Sequence, residues 1–586
     1  MRHDLALPFA FWQRRWAVTH DPRRRGTLLT GGVSAAFTLL CTACHKDTPP
    51  RPDADGGPAL QATAAARPPP DDAPRLGITA MQVWVHESAS AASRKLGYLR
   101  LGATIAHGPT PAGTDGCPGG WYSIYPRGFV CVGEEASLDP GAPLVRAAST
   151  RPDLSRPMPY HYGFVRAVAP QYLKVPSKDE QAASEFALEK HLAWWSAEGA
   201  AASGVVPGAN DVALDASGVA IDGAPLPAGI KPSTQLSQGE LFGGASDHDP
   251  VPFWLVGGRQ VPNVSGFKVP AYAVFADRVR RHTGLAFLGS FPTGDESFDR
   301  RFAVTTDLRL VPVTKVKPDG ASAFHGLAVK SVDDLPFAWV RASDAHVYRF
   351  DGDKPEKTDQ TLARRTTHKL SGKTRKVGEV TYRETADGRW LKGTEAGAAL
   401  VPTEWPKAAG DGEKWIDISI ENQVLVAWQG KTPVYATLVS TGQDGMGDPM
   451  TTKSTLRGTF RVRDKHVTTT MDSNGRSAEG GGPAPGAAAA AESEREDGYG
   501  KTVRRGQGAF ELRDVPWVQY FAAGFALHTA YWHDVFGLAR SHGCVNLSPI
   551  DGHWLFGWSD PPVPAGWHGV EAGPDTAPGT TVVVHR

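Results

Sequence analysis

Apolar residues recur along this chain mostly with a period of two, in short runs broken by Gly and Pro, and that rhythm predicts strands joined by turns rather than long helices. It is clearest beyond residue 413. There Trp415-Ile416-Asp417-Ile418-Ser419-Ile420 alternates, Glu421-Asn422 supplies a two-residue turn, and Gln423-Val424-Leu425-Val426-Ala427-Trp428 returns as a hairpin partner. Further strands are expected over 434–440, 458–462 and 580–585, and an apolar run over 521–527 reads as one more, ending at His528. Residues 473–505 interrupt the pattern with Gly480-Gly481-Gly482, an alanine run and mixed charge, and are expected to be a flexible insertion.

Upstream, residues 76–138 carry short β-type runs such as Gln82-Val83-Trp84-Val85-His86 and Gly128-Phe129-Val130-Cys131-Val132, which suggest a small barrel. The order Val83-Trp84-Val85, Leu96-Gly97-Tyr98-Leu99-Arg100-Leu101-Gly102, then Gly120-Trp121-Tyr122-Ser123-Ile124 resembles a bacterial Src-homology-3-like domain. Residues 336–405 look like a second small barrel. Between the two, 155–330 is a mixed region with one helical candidate over 178–197 and no assignable chemistry; Asp247-His248-Asp249 reads as a solvated loop rather than a ligand set. Residues 45–75, with Pro68-Pro69-Pro70 and no hydrophobic period, are an expected tether. With 586 residues, more than one core normally organises, the expected fold class is multidomain and mainly β, small β-barrel modules preceding a C-terminal domain over 413–586.

Charge narrows the partners: 62 basic and 62 acidic side chains give a formal net charge of zero, and no long basic run follows the N-terminus, so nucleic acid is not an expected partner. At the N-terminus, Arg14, Arg15, Arg23, Arg24 and Arg25 precede an apolar stretch over 28–41 that is too brief to span a bilayer. This reads as an export signal. Its end, Leu40-Cys41-Thr42-Ala43-Cys44, resembles a bacterial lipobox, which implies a signal over 1–44, lipid on Cys44 and attachment to a membrane. His45 stands where an acidic residue would favour the inner membrane, so the expected location is the periplasm or cell envelope, lipid-anchored, with the outer membrane favoured.

Export places the chain where disulfides persist, and it has five cysteines. Cys41 leaves with the signal and Cys44 carries lipid. Cys117 and Cys131 are close enough to pair across a hairpin, which leaves Cys544 as a free thiol and a candidate for chemistry. Histidines surround it: His528, His533 and His542. Imidazole can take a thiol proton and stabilise the ion pair, and Gly543 permits the tight turn that exposes a sulfur and frees N–H groups for an oxyanion.

Ser541-His542-Gly543-Cys544-Val545-Asn546, with His528 upstream, closely resembles the signature of YkuD-type L,D-transpeptidases, and Thr455-Leu456-Arg457-Gly458-Thr459-Phe460 resembles a second strand of that family. The resemblance covers 413–586 and implies a β-sandwich catalytic domain acting on peptidoglycan stem peptides. It implies Cys544 as nucleophile, His528 as base, Thr529 orienting the imidazole through its carbonyl, and His542 with the N–H groups of Gly543 and Cys544 lining the oxyanion site. Ser541 and Asn546 are expected to lock the turn, Arg540 to hold a stem carboxylate, and Trp532 and His533 to shape the acceptor side. Twelve residues separate His528 from Ser541, so His533 stays open as an alternative base. A zinc site from the histidines and Cys544 matches no common spacing, and neither metal nor cofactor is expected. Two other functions remain: a hydrolase using the same thiol, either an L,D-carboxypeptidase or a cross-link hydrolase, and a non-catalytic wall-binding lipoprotein.

Overall fold

The computed structural model describes residues 68–199, 250–264, 269–270, 272–319, 321–472 and 510–586. The signal and lipid-attachment segment, residues 45–67 of the tether, Asp247-His248-Asp249 and the 473–505 insertion lie outside the described residues. The described part is mainly β.

Near-continuous apolar runs belong to strands buried on both faces, and that is how the clearest hairpin is used. Lys414–Ser419 and Val424–Gln429 sit inside a six-stranded sheet with Leu327–Ala328, Thr432–Leu438, Thr581–His585 and Gly458–Arg461. One face, with Ile416, Ile418, Leu425, Ala427, Val582 and Val584, packs on Leu527, Val545, Leu547 and the Leu555 of a helix, Pro549–Trp558. The opposite face, Val424, Val426 and the stacked Trp415 and Trp428, packs on Phe337, Trp339 and Ala399 of the 336–405 region. The hairpin is closed by Ser419 opposite Val424, so its connection is the four residues 420–423 and not a two-residue turn. The reason is local: Gln423 adopts φ 55°, and Asn422 turns back to bond Ser419 Oγ through both its backbone N–H and its side-chain amide.

A second sheet of 16 strands runs from the 155–330 region through the C-terminal domain into the first small module. At one junction Gly284 pairs in parallel with Leu512; at the other Gly97 and Tyr98 pair with Val570 and Gly569. The 155–330 region, to which sequence assigned no chemistry, contains antiparallel β: His161–Val165, Ala169–Tyr172, Phe275–Val279, Gly284–Pro292, Arg301–Thr305, Leu310–Pro312 and Val316–Pro318. Residues 76–138 build a three-stranded sheet and the last four strands of this 16-stranded sheet around Ile78, Val83, Val85, Leu99 and Ile105, and 336–405 holds a seven-stranded sheet around Val340, Val347, Leu370 and Leu391.

Three further expectations need correction. Residue 75 belongs to the strand Arg75–Ile78, so the extended tether stops short of it. The helix over 178–197 is broken into Lys178–Ser184, Leu188–Trp194 and a π-turn, Trp195–Gly199. Glu185 causes the break: its carboxylate is buried against Arg300 (2.6 Å) and Lys315 (3.2 Å), while Ala187 takes φ 50° and Phe186 is left 96% exposed. The run over 521–527 is not one strand either. It turns at Ala523-Gly524, between Glu511–Ala522 and Phe525–Thr529, with Ala522 opposite Phe525 and Gly524 at φ 75°.

Candidate active site

The strand Phe525–Thr529 runs parallel to Val545–Leu547, with Leu527 opposite Val545, His528 opposite Asn546 and Thr529 opposite Leu547. Side chains alternate faces along a strand. Leu527, Val545 and Leu547 therefore enter the sandwich core, whereas His528, Asn546 and, just before its strand, Cys544 share the other face. There Cys544 packs with Ala526, Tyr531 and Trp532, and the indole of Trp532 lies 5.7 Å from the His528 ring.

His528 is buried, and its Nδ1–H donates to the Thr529 carbonyl at 3.0 Å, which leaves Nε2 as the basic nitrogen. Burial pushes the imidazole down to about 4 and the Cys544 thiol up to about 11. The resting pair is therefore neutral, and Cys544 Sγ is directed to the Gly524 carbonyl at 3.7 Å. Cys544 is the free cysteine of the described residues; Cys117 and Cys131 are bridged, with Cα atoms 5.8 Å apart.

Residues 413–584 match the model of the YkuD family, the L,D-transpeptidase catalytic domain. No curated protein matches the chain. Among solved structures it is similar to the catalytic domain of an E. faecium L,D-transpeptidase, at 20% identity over 30% of this chain and 98% of that one, with a TM-score of 0.19. An L,D-transpeptidase from Mycobacterium smegmatis is 14% identical over 45% and 95% of the two chains, TM-score 0.19. One from Xylanimonas cellulosilytica is 19% identical over 32% and 64%, TM-score 0.17.

Within the YkuD domain, the turn before Cys544 is held mainly by Ser541. Its Oγ donates to the Cys544 carbonyl (2.5 Å) and accepts the Gly543 N–H (3.1 Å). The Gly543 N–H is thus engaged already, a correction to its expected place in an oxyanion site. Gly543 adopts φ 131°, and a Cβ there would come within 3.0 Å of the Phe525 ring, so the position needs glycine. Main-chain bonds tie the motif to the neighbouring 440–443 segment: Ser541 N–H donates to Thr441 O (3.0 Å), Gln443 N–H to Ser541 O (2.9 Å), and Asn546 N–H to Ser440 O (2.9 Å). Thr455 Oγ1 accepts the Gly442 N–H at 2.8 Å, which ties the second motif to the same 440–443 segment.

The other candidates divide. His533 is engaged by its neighbours: its Nε2 meets the Asn546 amide at 3.1 Å and its ring lies 4.7 Å from Phe536. His542 is lowered to about 4, chiefly by burial and further by Lys453; its ring lies 5.1 Å from Phe510, and its buried Nε2 has no hydrogen-bond partner among the described residues. Arg540 is exposed, and its backbone N–H donates to Thr441 O at 2.8 Å. Several residues near the site escaped the sequence reading. Asp534 Oδ1 accepts from Ser322 and Arg365, and Arg364 donates to the Asp534 carbonyl at 2.6 Å. These partners lie more than a hundred residues away in sequence, and no local motif marks them.

Proposed function

We propose that the chain is a cysteine-dependent L,D-transpeptidase acting on peptidoglycan tetrapeptide stems. What carries the reading is the placement of Cys544 and His528 on one face of adjacent parallel strands, with Thr529 O selecting the tautomer whose Nε2 is basic. In this reading Cys544 attacks the carbonyl of the L-centre of the stem's diamino acid, and its proton passes to His528 Nε2. The tetrahedral oxyanion faces the turn at Cys544, where the Cys544 N–H is the remaining candidate donor. Collapse breaks the C–N bond, D-Ala departs with the proton from the imidazolium, and a thioester remains. An amine acceptor, from a second stem or a protein, then attacks the thioester. His528 takes the amine proton and the thiol is restored. Attack by water instead would make the enzyme an L,D-carboxypeptidase or a cross-link hydrolase.

Incubation of the purified chain with a tetrapeptide stem is expected to release D-Ala and yield dimer, and Cys544→Ala to abolish both. Tripeptide without dimer would identify a hydrolase, and neither product a binding protein. Full activity in Cys544→Ala would remove Cys544 as nucleophile. The proposal extends to cellular placement, because the lipobox-like Leu40-Cys41-Thr42-Ala43-Cys44 supports lipid on Cys44 and attachment to the outer membrane. Metabolic labelling with a fatty acid should mark the wild-type chain and not Cys44→Ala.

A further inference from the structure

The proposed chemistry uses only the main-chain carbonyl of Thr529, which accepts the His528 Nδ1–H. The Thr529 side chain is fully buried all the same, and its Oγ1 has no hydrogen-bond partner among the described residues. A buried hydroxyl without a partner costs free energy, and any residue type could supply the carbonyl.

Side chains alternate along the strand Phe525–Thr529, so Thr529 faces the same way as Leu527, toward the helix Pro549–Trp558 and away from the face of His528. What it meets there is Gly552. A Cβ at that position would overlap Thr529 Oγ1 and stand 3.3 Å from Thr529 Cβ and 3.5 Å from its Cα, so the first turn of the helix lies directly on the residue that fixes the imidazole. Neither side can easily retreat. On the helix, Ser548 Oγ accepts the Asp551 N–H (3.1 Å) and Ser548 O accepts the Gly552 N–H (2.8 Å). The buried Asp551 carboxylate accepts from Tyr435 (2.6 Å) and Thr437 (2.6 Å) of the six-stranded sheet and from the Gly326 N–H (2.8 Å), which fastens that turn in place. On the strand, the next residue, Ala530, donates its N–H to Leu547 O at 2.9 Å. Thr529 is β-branched and stiff at χ1, which keeps its hydroxyl against the helix.

We propose that the Thr529 side chain is a positioning element for His528: wedged against Gly552, it sets the gap between strand and helix and so holds the Thr529 carbonyl on Nδ1, keeping Nε2 the basic nitrogen. The two residues are matched in size, a branched side chain opposite a residue that has none. The inference rests on the reading of His528 as the base.

The test reads tautomer and rate separately in the full chain. With histidine labelled by ¹⁵N, the unaltered protein is expected to show His528 in its Nδ1–H form, the signal being assigned by its loss in His528→Gln. Thr529→Ala empties the gap and Gly552→Ala overfills it. Each is expected to mix the two tautomers and to slow acylation of Cys544 by a carbapenem about tenfold or more, measured on the folded fraction. The double variant, Thr529→Ala with Gly552→Ala, restores the fit from the other side and is expected to recover the Nδ1–H form and most of the rate. A His528 signal that stays purely Nδ1–H in the single variants overturns the inference, as does an undiminished rate or a double variant no better than the singles. If Gly552→Ala does not fold, Thr529→Ala decides alone: a pure Nδ1–H signal or a full rate overturns the inference whatever the melting point. The two readings fail separately. A tautomer that follows the fit of Thr529 to Gly552 in a chain that no carbapenem acylates and that releases no D-Ala would sink the transpeptidase and spare the wedge; acylation with a tautomer indifferent to both positions does the reverse.

Discussion

At the residue scale, the neutral resting pair determines how the site should respond to pH. His528 takes a proton only when it is itself neutral, and burial holds it down to about 4, so the acid limb of acylation should fall near that value and not near 6.5. The thiol, pushed up to about 11, should contribute little free thiolate below that. Acylation of Cys544 by a carbapenem, followed by mass at a series of pH values, is therefore expected to be flat from about 5 to 10; an inflection between 6 and 7 would contradict the neutral pair. The two histidines should also separate by substitution. His528→Ala is expected to slow acylation by about 10²–10⁴-fold. His533→Ala removes a contact with Asn546 and a ring contact with Phe536, and should cost about 1 kcal/mol of stability with a much smaller loss of rate. Stopped-flow rates beside urea melts read both quantities.

At the scale of elements, the 155–330 region joins the strand Glu511–Ala522, neighbour of Phe525–Thr529, at one parallel pair, Gly284 with Leu512. The glycine is required by close approach: a Cβ there would lie 2.5 Å from Tyr531 Oη and 2.9 Å from Leu512 Cδ2. Gly284→Ala is thus expected to destabilise the chain by about 1–3 kcal/mol through overpacking, seen as a lower urea midpoint, and to slow acylation because Tyr531 packs in the cluster with Cys544. An unchanged midpoint would mean that the junction yields freely. Local patterns were read well where the residues themselves impose them, as in the alternation over 415–420. They were read wrongly where a distant charge intervened: Glu185 leaves its helix because Arg300 and Lys315, over a hundred residues on, neutralise it in the interior. The 521–527 run misled for another reason, since strands on either side of a turn can both be apolar, and only the φ of Gly524 marks the break.

For the whole molecule, Asp514 is the point where three regions meet. Its buried carboxylate pairs with Arg100 of the first module at 2.5 Å and accepts from Thr306 of the middle region (2.6 Å) and Thr468 of the YkuD domain (2.8 Å). Its carbonyl accepts from Tyr162 at 2.8 Å. Burial pushes the carboxyl up, but Arg100 and the two hydroxyls more than offset it and hold it below the ordinary 3.8. The folded chain thus binds fewer protons there than the unfolded one. This stabilisation is full above about pH 4 and is lost as pH falls through the lower folded value. Asp514→Ala leaves the Arg100 guanidinium buried without its carboxylate and is expected to cost about 3–5 kcal/mol. Calorimetric melts at pH 7 test this, and a shift of under a degree would show the junction to be dispensable.

The sequence alone was enough to mark the thiol, the histidines around it, the cysteine pair at Cys117 and Cys131 as a candidate, and the mainly β character. Each of these is carried by residues near one another in the chain, where side-chain chemistry and backbone preference act directly. Tertiary structure decided the rest. It showed that Ser541 has already taken the Gly543 N–H, that His533 turns to Asn546, and that the outer face of the six-stranded sheet is covered by Phe337 and Trp339. It also brought Arg364 to Asp534, 170 residues away in sequence. No local pattern marks such a contact, because only the path of the chain decides which residues so far apart come together.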